Sequence, residues 1–316
     1  MKSILLALLF LFIPKLCISQ VITANDDAVY LDSVFNMGSE KNFKYIRVVK
    51  DYKTPNKESY EVTDFYKSGK IAMSGTTSKK DKIIKTGTFV YYYENGNKKS
   101  IVNYKLDKKH GKYFEFYENG NKKEEGENIL DDKKNKTDCR IDQFWNSNGV
   151  QKVTDGNGDY EESNDYLFAT GKVKNGFKEG PWEGSHKKME YTFSENYENQ
   201  KLVSGFSTDK SKVTHNYTVL EKKPEPKFGM ADFYKFIGKN YKTPNIQGLK
   251  GKVYLTFVVE KDGKIVEPKV LRDIGYGTGF EAIRVIMACE DFIPGEQRGI
   301  KVRCTYSLPI SIQSAY

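Results

Sequence analysis

The sequence predicts a β-rich α+β protein: an N-terminal array of antiparallel β-hairpin repeats, then a small C-terminal α+β domain with a three-stranded antiparallel sheet and two helices. Three observations carry this reading. The aromatic share is 14%, almost wholly 22 Tyr and 19 Phe, residue types that suit pleated, half-exposed sheet surfaces. An offset of 24 residues superposes Gly87 to Lys99 (GTFVYYYENGNKK) on Gly111 to Lys123 (GKYFEFYENGNKK), with YENGNKK identical. Beyond residue 228, apolar patterns follow in the order helix, strand, strand, helix, strand. At 316 residues there is room for two ordinary domains, because single cores stop growing at about 250 to 300 residues.

The first residues read MKSILLALLFLFIPKLCISQ: a lysine, an apolar run from Ile4 to Ile13 broken by Pro14 and Lys15, then small residues. This is the layout of a signal peptide over 1–19. An uncleaved anchor is the rival reading, but a membrane span needs about 20 apolar residues and this run stops short. Cys17 follows Lys15 and Leu16, where lipid attachment would call for a small residue. An exported protein without a permanent membrane anchor is expected. The formal net charge is +9 and stays positive without Lys2 and Lys15. The lysines are interspersed with Asp and Glu, the pattern of a solvated surface and not of a nucleic-acid-binding tract.

Residues 20–60 show one short alternation, Tyr45, Arg47 and Val49 against Ile46 and Val48, and are expected to supply a leading strand. The repeat array covers 61–220. Asn95-Gly96 and Asn119-Gly120 are hairpin dipeptides for which a type I′ turn, with positive φ at both central residues, is expected. Before the first turn Phe89, Tyr91 and Tyr93 alternate with Val90 and Tyr92, so both faces carry aromatics. Weaker copies run from Phe65 to Lys70, Phe144 to Gly149, Gly176 to Trp182 and Tyr197 to Leu202, where Gln200 stands in the glycine position. An isolated hairpin is marginal in water, so such units must stack on their neighbours. Asp131 to Asp142 reads as a charged loop. The pattern Y-x-N-G-x-K, then N-Y-K, then G-x-Y, resembles the bacterial variant of MORN repeats. That resemblance implies a scaffold for contacts with proteins or membranes and no shared catalytic residue. Aromatics at period two are first of all packing residues; exposed ones could bind sugar or peptide.

Residues 221–227 (EKKPEPK) read as a charged, extended linker, since two prolines oppose both helix and ladder. The C-terminal domain is placed at 228–316. Phe233, Phe236 and Ile237 lie at helical spacing within Met230 to Asn240, and Pro244 follows. Val253, Leu255, Phe257 and Val259 alternate up to an Asp262-Gly263 turn, and Ile265 to Arg272 returns. Thr278-Gly279-Phe280-Glu281 has capping-box spacing, with Ala282, Val285, Ile286 and Cys289 as the apolar stripe behind it. Val302, Cys304, Tyr306 and Leu308 alternate in a final strand before Pro309.

Gly251-Lys252-Val253 with Phe257-Val258-Val259, Asp262-Gly263-Lys264-Ile265, Glu281 to Ile286, Pro294-Gly295 with Gln297-Arg298-Gly299, and Tyr306 to Ile310 together resemble the C-terminal domain of TonB, as found in energy-transducer-like proteins of Gram-negative bacteria. The resemblance implies a periplasmic or envelope location. It also implies capture of a short peptide of an outer-membrane transporter by strand addition. Two features depart from it: Phe292 stands where the family usually has Trp, and the permanent inner-membrane helix and long proline-rich spacer of a working transducer are not recognisable.

A crossover helix between the second and third strands makes the last strand antiparallel to the first and leaves it at the sheet edge. Val302, Arg303, Cys304, Thr305, Tyr306, Ser307 and Leu308 are therefore the candidate peptide-binding edge. Arg303 and Pro309 could equally serve only to protect it. Cys289 and Cys304 share core-facing parity, so a disulfide between them is expected in an exported protein, with two buried thiols as the alternative. No catalytic or metal constellation is recognisable: His110, His186 and His215 are the only histidines, and Cys139 stands alone in a charged segment. No enzyme activity, cofactor, metal or nucleic-acid partner is expected. Two functions stay open, a non-catalytic peptide binder for an outer-membrane transporter or other envelope protein, and an envelope scaffold whose repeats bind cell-wall polymer or protein without energy transduction.

Overall fold

The computed structural model describes residues 22–289 and 292–314, so the leader expected at 1–19 lies outside the described residues. Among those residues no helix is long and apolar enough to cross a membrane. The chain divides into two compact units, one holding residues up to 161 with 172–178, the other 162–171 with 179–316. Sixteen strands, from Asp27–Leu31 to Thr214–Tyr217, form one antiparallel sheet in strict sequence order. Short connections dictate that order, because a hairpin turn joins only strands that lie side by side.

Residues 20–60 supply two strands, Asp27–Leu31 and Tyr45–Val49, where periodicity showed one. The segment from Asp131 to Asp142 is not a loop. Its strands continue on both sides of a turn at 132–135, with Asp131 opposite Lys136 and Leu130 opposite Thr137. Its charges are accommodated on the sheet, where Arg140 bonds Glu127 across the strands at 2.8 Å and Asp142 on its own strand at 2.9 Å.

The Asn-Gly turns also differ from the expected two-residue type I′ form. Gly96 N donates to Tyr93 O at 2.9 Å and Tyr93 N to Asn97 O at 2.8 Å. Gly96 has φ of 97°, Asn95 is not in the positive-φ region, and the register shifts between Tyr91 and Tyr92. This is a longer loop closed by a glycine bulge. Asn95 contributes through its side chain, which accepts from Asn97 N at 2.9 Å. The same main-chain pattern recurs at Tyr66–Lys70, Tyr117–Asn121 and Asn146–Val150. Tight turns with positive φ at both central residues do occur, at Leu106-Asp107 and at Asn199-Gln200, where Gln200 takes φ of 69°.

Mid-strand glycines seat the large rings of the array. A Cβ on Gly75 would lie 2.5 Å from the Phe89 ring, one on Gly171 2.5 Å from Trp182, and one on Gly205 2.6 Å from Tyr217. For Gly171 three atoms of the indole are equally close, so the ring face covers the glycine. Phe89 and Trp182 are fully buried this way, in a sheet that has glycine where a strand would otherwise carry a side chain. Val49, Tyr60, Val62, Met73 and Phe89 make one such core cluster.

In the C-terminal domain, helix α1 (Gly229–Asn240) buries Phe233 and Ile237, and helix α2 (Thr278–Met287) buries Ala282, Val285 and Ile286. The three-stranded sheet has the order Ile265–Arg272, Lys250–Val259, Cys304–Gln313, and α2 packs on its first two strands. Phe292 is buried at the centre, edge-on to Phe233, Phe257 and Tyr306 with ring centroids 5.5 Å apart in each case. Edge-to-face pairs of this kind each contribute about 0.5–1.5 kcal/mol beyond area burial.

Three local features of this domain differ from expectation. Residues 221–227 carry two short strands: Glu221–Lys222 pairs with Gly295–Gln297 and Glu225–Pro226 with Phe292–Ile293. The prolines are tolerated because these are short, irregular pairings at sheet margins. The capping box at Thr278 does not form. Gly277, at φ of 75°, leads into α2, the Thr278 hydroxyl donates back to Gly275 O at 2.7 Å, and Glu281 is engaged by Arg284 and Lys242 N. That pairing, through hydrogen bonds from Arg284 above all, holds the Glu281 carboxyl down at about 2. Finally, Cys289 and Cys304 are both thiols, not a disulfide. Their parity is as expected, but Cys289 packs against the core beyond the end of α2, whereas the Cys304 sulfur lies against Gly295 at the start of its strand.

Candidate peptide-binding edge

The Cys304–Gln313 strand pairs along its whole length with Lys250–Val259, from Val259 opposite Cys304 to Lys250 opposite Gln313. Ser314 N donates to Leu249 O at 2.9 Å, which fixes the phase of the ladder. Alternation then turns the main chain of Cys304, Tyr306, Leu308, Ile310 and Ile312 inward and that of Thr305, Ser307, Pro309, Ser311 and Gln313 towards the open edge. Among the described residues no strand pairs on that side. Pro309 has no N–H to offer, so it interrupts the edge and leaves Thr305 and Ser307 as a separate outward-facing pair of amides.

A cleft of about 580 Å³ runs beside this half of the edge, lined by Cys304, Thr305 and Ser307 on one side and by Glu221, Lys222 and Pro224 on the other. Lys222 and Glu296 form an ion pair at 2.8 Å in its wall. Nothing local in the sequence marks residues 221–224 as a wall, because they reach it through pairing with residues some seventy positions later.

The expected site residues divide by position. Thr305 and Ser307 are exposed and direct both side chain and main chain outward. Tyr306 is half-buried, stacked on Phe257 at 5.2 Å, with its hydroxyl 3.5 Å from Met230 Sδ. Leu308 belongs to the core. Val302 is not part of this strand; it ends Ile300–Val302 and pairs with Gly295. Arg303 lies between the two strands, bonded to Glu260 at 2.7 Å and to Glu267. Its guanidinium is thus engaged within the domain. Burial and the nearby Glu221 push the Cys304 thiol up, which keeps it protonated and a poor nucleophile.

Two buried carboxylates on strands of the repeat sheet, Glu124 and Glu195, were not legible as such. Glu195 is 1% exposed and receives the Tyr197 and Tyr217 hydroxyls, each at 2.8 Å, and Arg298 Nε at 2.6 Å. Glu124, 5% exposed, accepts from the Tyr113 hydroxyl and from the Tyr160 hydroxyl at 2.5 Å. Burial pushes the Glu124 carboxyl above its ordinary value, outweighing the two phenol hydrogen bonds that pull it down. A folded pKa above the unfolded one means that the fold favours the neutral acid. Its stabilisation is complete below the ordinary Glu value of about 4.3 and is lost as pH rises through the raised value. The melting temperature of wild type relative to Glu124→Gln should therefore fall with rising pH above that point. Parallel melting curves across the range would rule out a raised Glu124.

Residues 245–311 match the family model described as Gram-negative bacterial TonB protein C-terminal, and residues 85–106 and 109–127 match the MORN repeat variant. A search of curated proteins gave no match. The chain thus carries a TonB-like C-terminal domain, of a family associated with the Gram-negative envelope, preceded by MORN-type hairpin repeats. The first of these matches contains the edge strand through Ser311 and excludes α1.

Proposed function

We propose that this protein is a non-catalytic envelope module, exported by cleavage near Ser19, that captures an extended peptide of an outer-membrane transporter or another envelope protein by strand addition. The observation that carries this reading is the outward main chain of Thr305 and Ser307, set beside a cleft of about 580 Å³. Main-chain bonds along the edge supply affinity, and the exposed Thr305 and Ser307 side chains supply selectivity. Pro309 sets the far limit of the docking register. Arg303, held by Glu260 and Glu267, closes the near end.

Titrating the mature chain with N-terminal peptides of outer-membrane transporters from the same cell, followed by amide NMR shifts, tests this reading. Shifts should centre on 304–308, and Thr305→Pro should weaken binding at least about tenfold, or about 1.4 kcal/mol. The outward amide that proline removes takes part in no internal ladder bond, so the fold should persist. Shifts centred on the repeat sheet, or unchanged affinity of the Thr305→Pro variant, would reject the edge. Export is checked separately by the mass of the native N-terminus, where retention of residues 1–20 refutes cleavage.

A further inference from the structure

We propose that a second site, on the face of the repeat sheet and independent of the edge strand, binds an acidic saccharide: a pyranose ring bearing a carboxylate. The site is a cleft of about 510 Å³ built around Tyr45, Arg47, Asp64, Tyr66, Lys85 and Tyr91, within the size range of small-ligand pockets. The register places its residues on one face. Tyr45 stands opposite Tyr66, Arg47 opposite Asp64, Asp64 opposite Met73, and Met73 opposite Tyr91.

Three features define what fits. The floor is a forked ion pair in which Arg47 Nε and Nη2 bind the two Asp64 oxygens at 2.7 and 2.8 Å, with Asp64 1% exposed. The guanidinium keeps Nη1 for a ligand hydroxyl or carboxylate. The wall is aromatic, with Phe35 stacked on Tyr45 at 4.8 Å and Tyr45 against Tyr66 at 5.6 Å. Such ring faces match the C–H faces of a pyranose. The rim is cationic. Lys85 Nζ donates to the Tyr91 hydroxyl at 2.8 Å and lies 5.0 to 5.4 Å from the centroids of Phe89, Tyr91 and Tyr104. Lys99 also lines the cleft, and among the described residues neither lysine has a carboxylate at ion-pair distance. Because Arg47 neutralises Asp64, the two lysines leave the lining itself positive, with Glu94 near Tyr45 and Tyr66 offsetting part of that charge, a balance that favours an anionic ligand on the lysine side.

An extended peptide is the poorer fit. The strands that form this face are interior to the sheet and spend their main chain on neighbours at both sides, so no strand can be added here. Recognition must come from side chains, here flat rings, a planar ion pair and two cations, with Ala72, Met73 and Ile83 as the aliphatic part of the lining.

The test uses the mature full chain, with isothermal titration of trigalacturonate as the acidic probe and cellotriose as the neutral one. Lys99→Met and Phe35→Ala alter exposed residues, and circular dichroism confirms that each variant remains folded. Trigalacturonate should bind saturably, with affinity at least about tenfold better than cellotriose, and each substitution should weaken it about tenfold, or about 1.4 kcal/mol. No saturable heat, equal affinity for the neutral sugar, or unchanged affinity in both variants would overturn the assignment. So would tighter binding of a Glu-rich peptide or of phosphatidylglycerol vesicles.

Discussion

Replacing Arg298 by alanine should destabilise the unit containing residues 179–316 by about 3–5 kcal/mol, the cost of leaving one member of a buried ion pair uncompensated. The side chain is 8% exposed and its Nε lies 2.6 Å from Glu195 Oε1. Its guanidinium sits 4.0 Å above the Phe193 ring, a stacked geometry that lysine cannot reproduce. The backbone of Arg298 is also fixed, N donating to Leu220 O at 2.7 Å and O accepting from the Ser207 hydroxyl at 2.7 Å. One residue of the Gln297-Arg298-Gly299 turn thereby ties strands 191–198 and 201–208 to the C-terminal domain. Urea unfolding of the single variants and of Arg298→Met with Glu195→Gln measures the coupling. The double variant should recover part of the loss, since no unpaired charge stays buried. A loss below about 1 kcal/mol in Arg298→Ala would mean the pair is solvated and carries little.

Trp182→Ala should cost about 3–5 kcal/mol, as expected for deleting a fully buried aromatic ring. Gly171→Ala should cost about 1–3 kcal/mol for the opposite reason, because the added methyl would overlap the same ring, 2.5 Å from its atoms. The two losses should not add. With the indole gone the methyl at position 171 has space, so the double variant should be more stable than the sum of single effects predicts. Strict additivity in denaturation experiments would show that the ring does not lie over the glycine.

Much of the fold was legible because hairpin repeats and amphipathic helices are local patterns. The offset between Gly87 and Gly111 announced the array, and the helix, strand, strand, helix, strand order announced both the three-stranded sheet and the edge position of its last strand. The turn at Asn95-Gly96 was located correctly but mistyped, since dipeptide identity does not reveal which residues take positive φ once the flanking strands carry a bulge. The charged segment after Asp131 carries no strand signal in the sequence, because cross-strand ion pairs such as Arg140–Glu127 leave no periodicity in one strand. Of the seven residues proposed for the peptide edge, Thr305 and Ser307 hold outward main chain. Arg303 does not stand free, because its partners Glu260 and Glu267 lie in the other hairpin.

Alone, the sequence determined the repeat unit, the chain reversals at Asn95-Gly96 and Asn119-Gly120 and the order of the main elements in the C-terminal domain, all read from local patterns. Tertiary structure alone decided which glycines seat which rings, which carboxylates are buried and by whom they are satisfied, and which edge amides stay open. Those outcomes depend on register and on pairs as distant as Glu195 and Arg298, where the free energy of a charge is set by the neighbours that replace its water, and no local pattern encodes those neighbours.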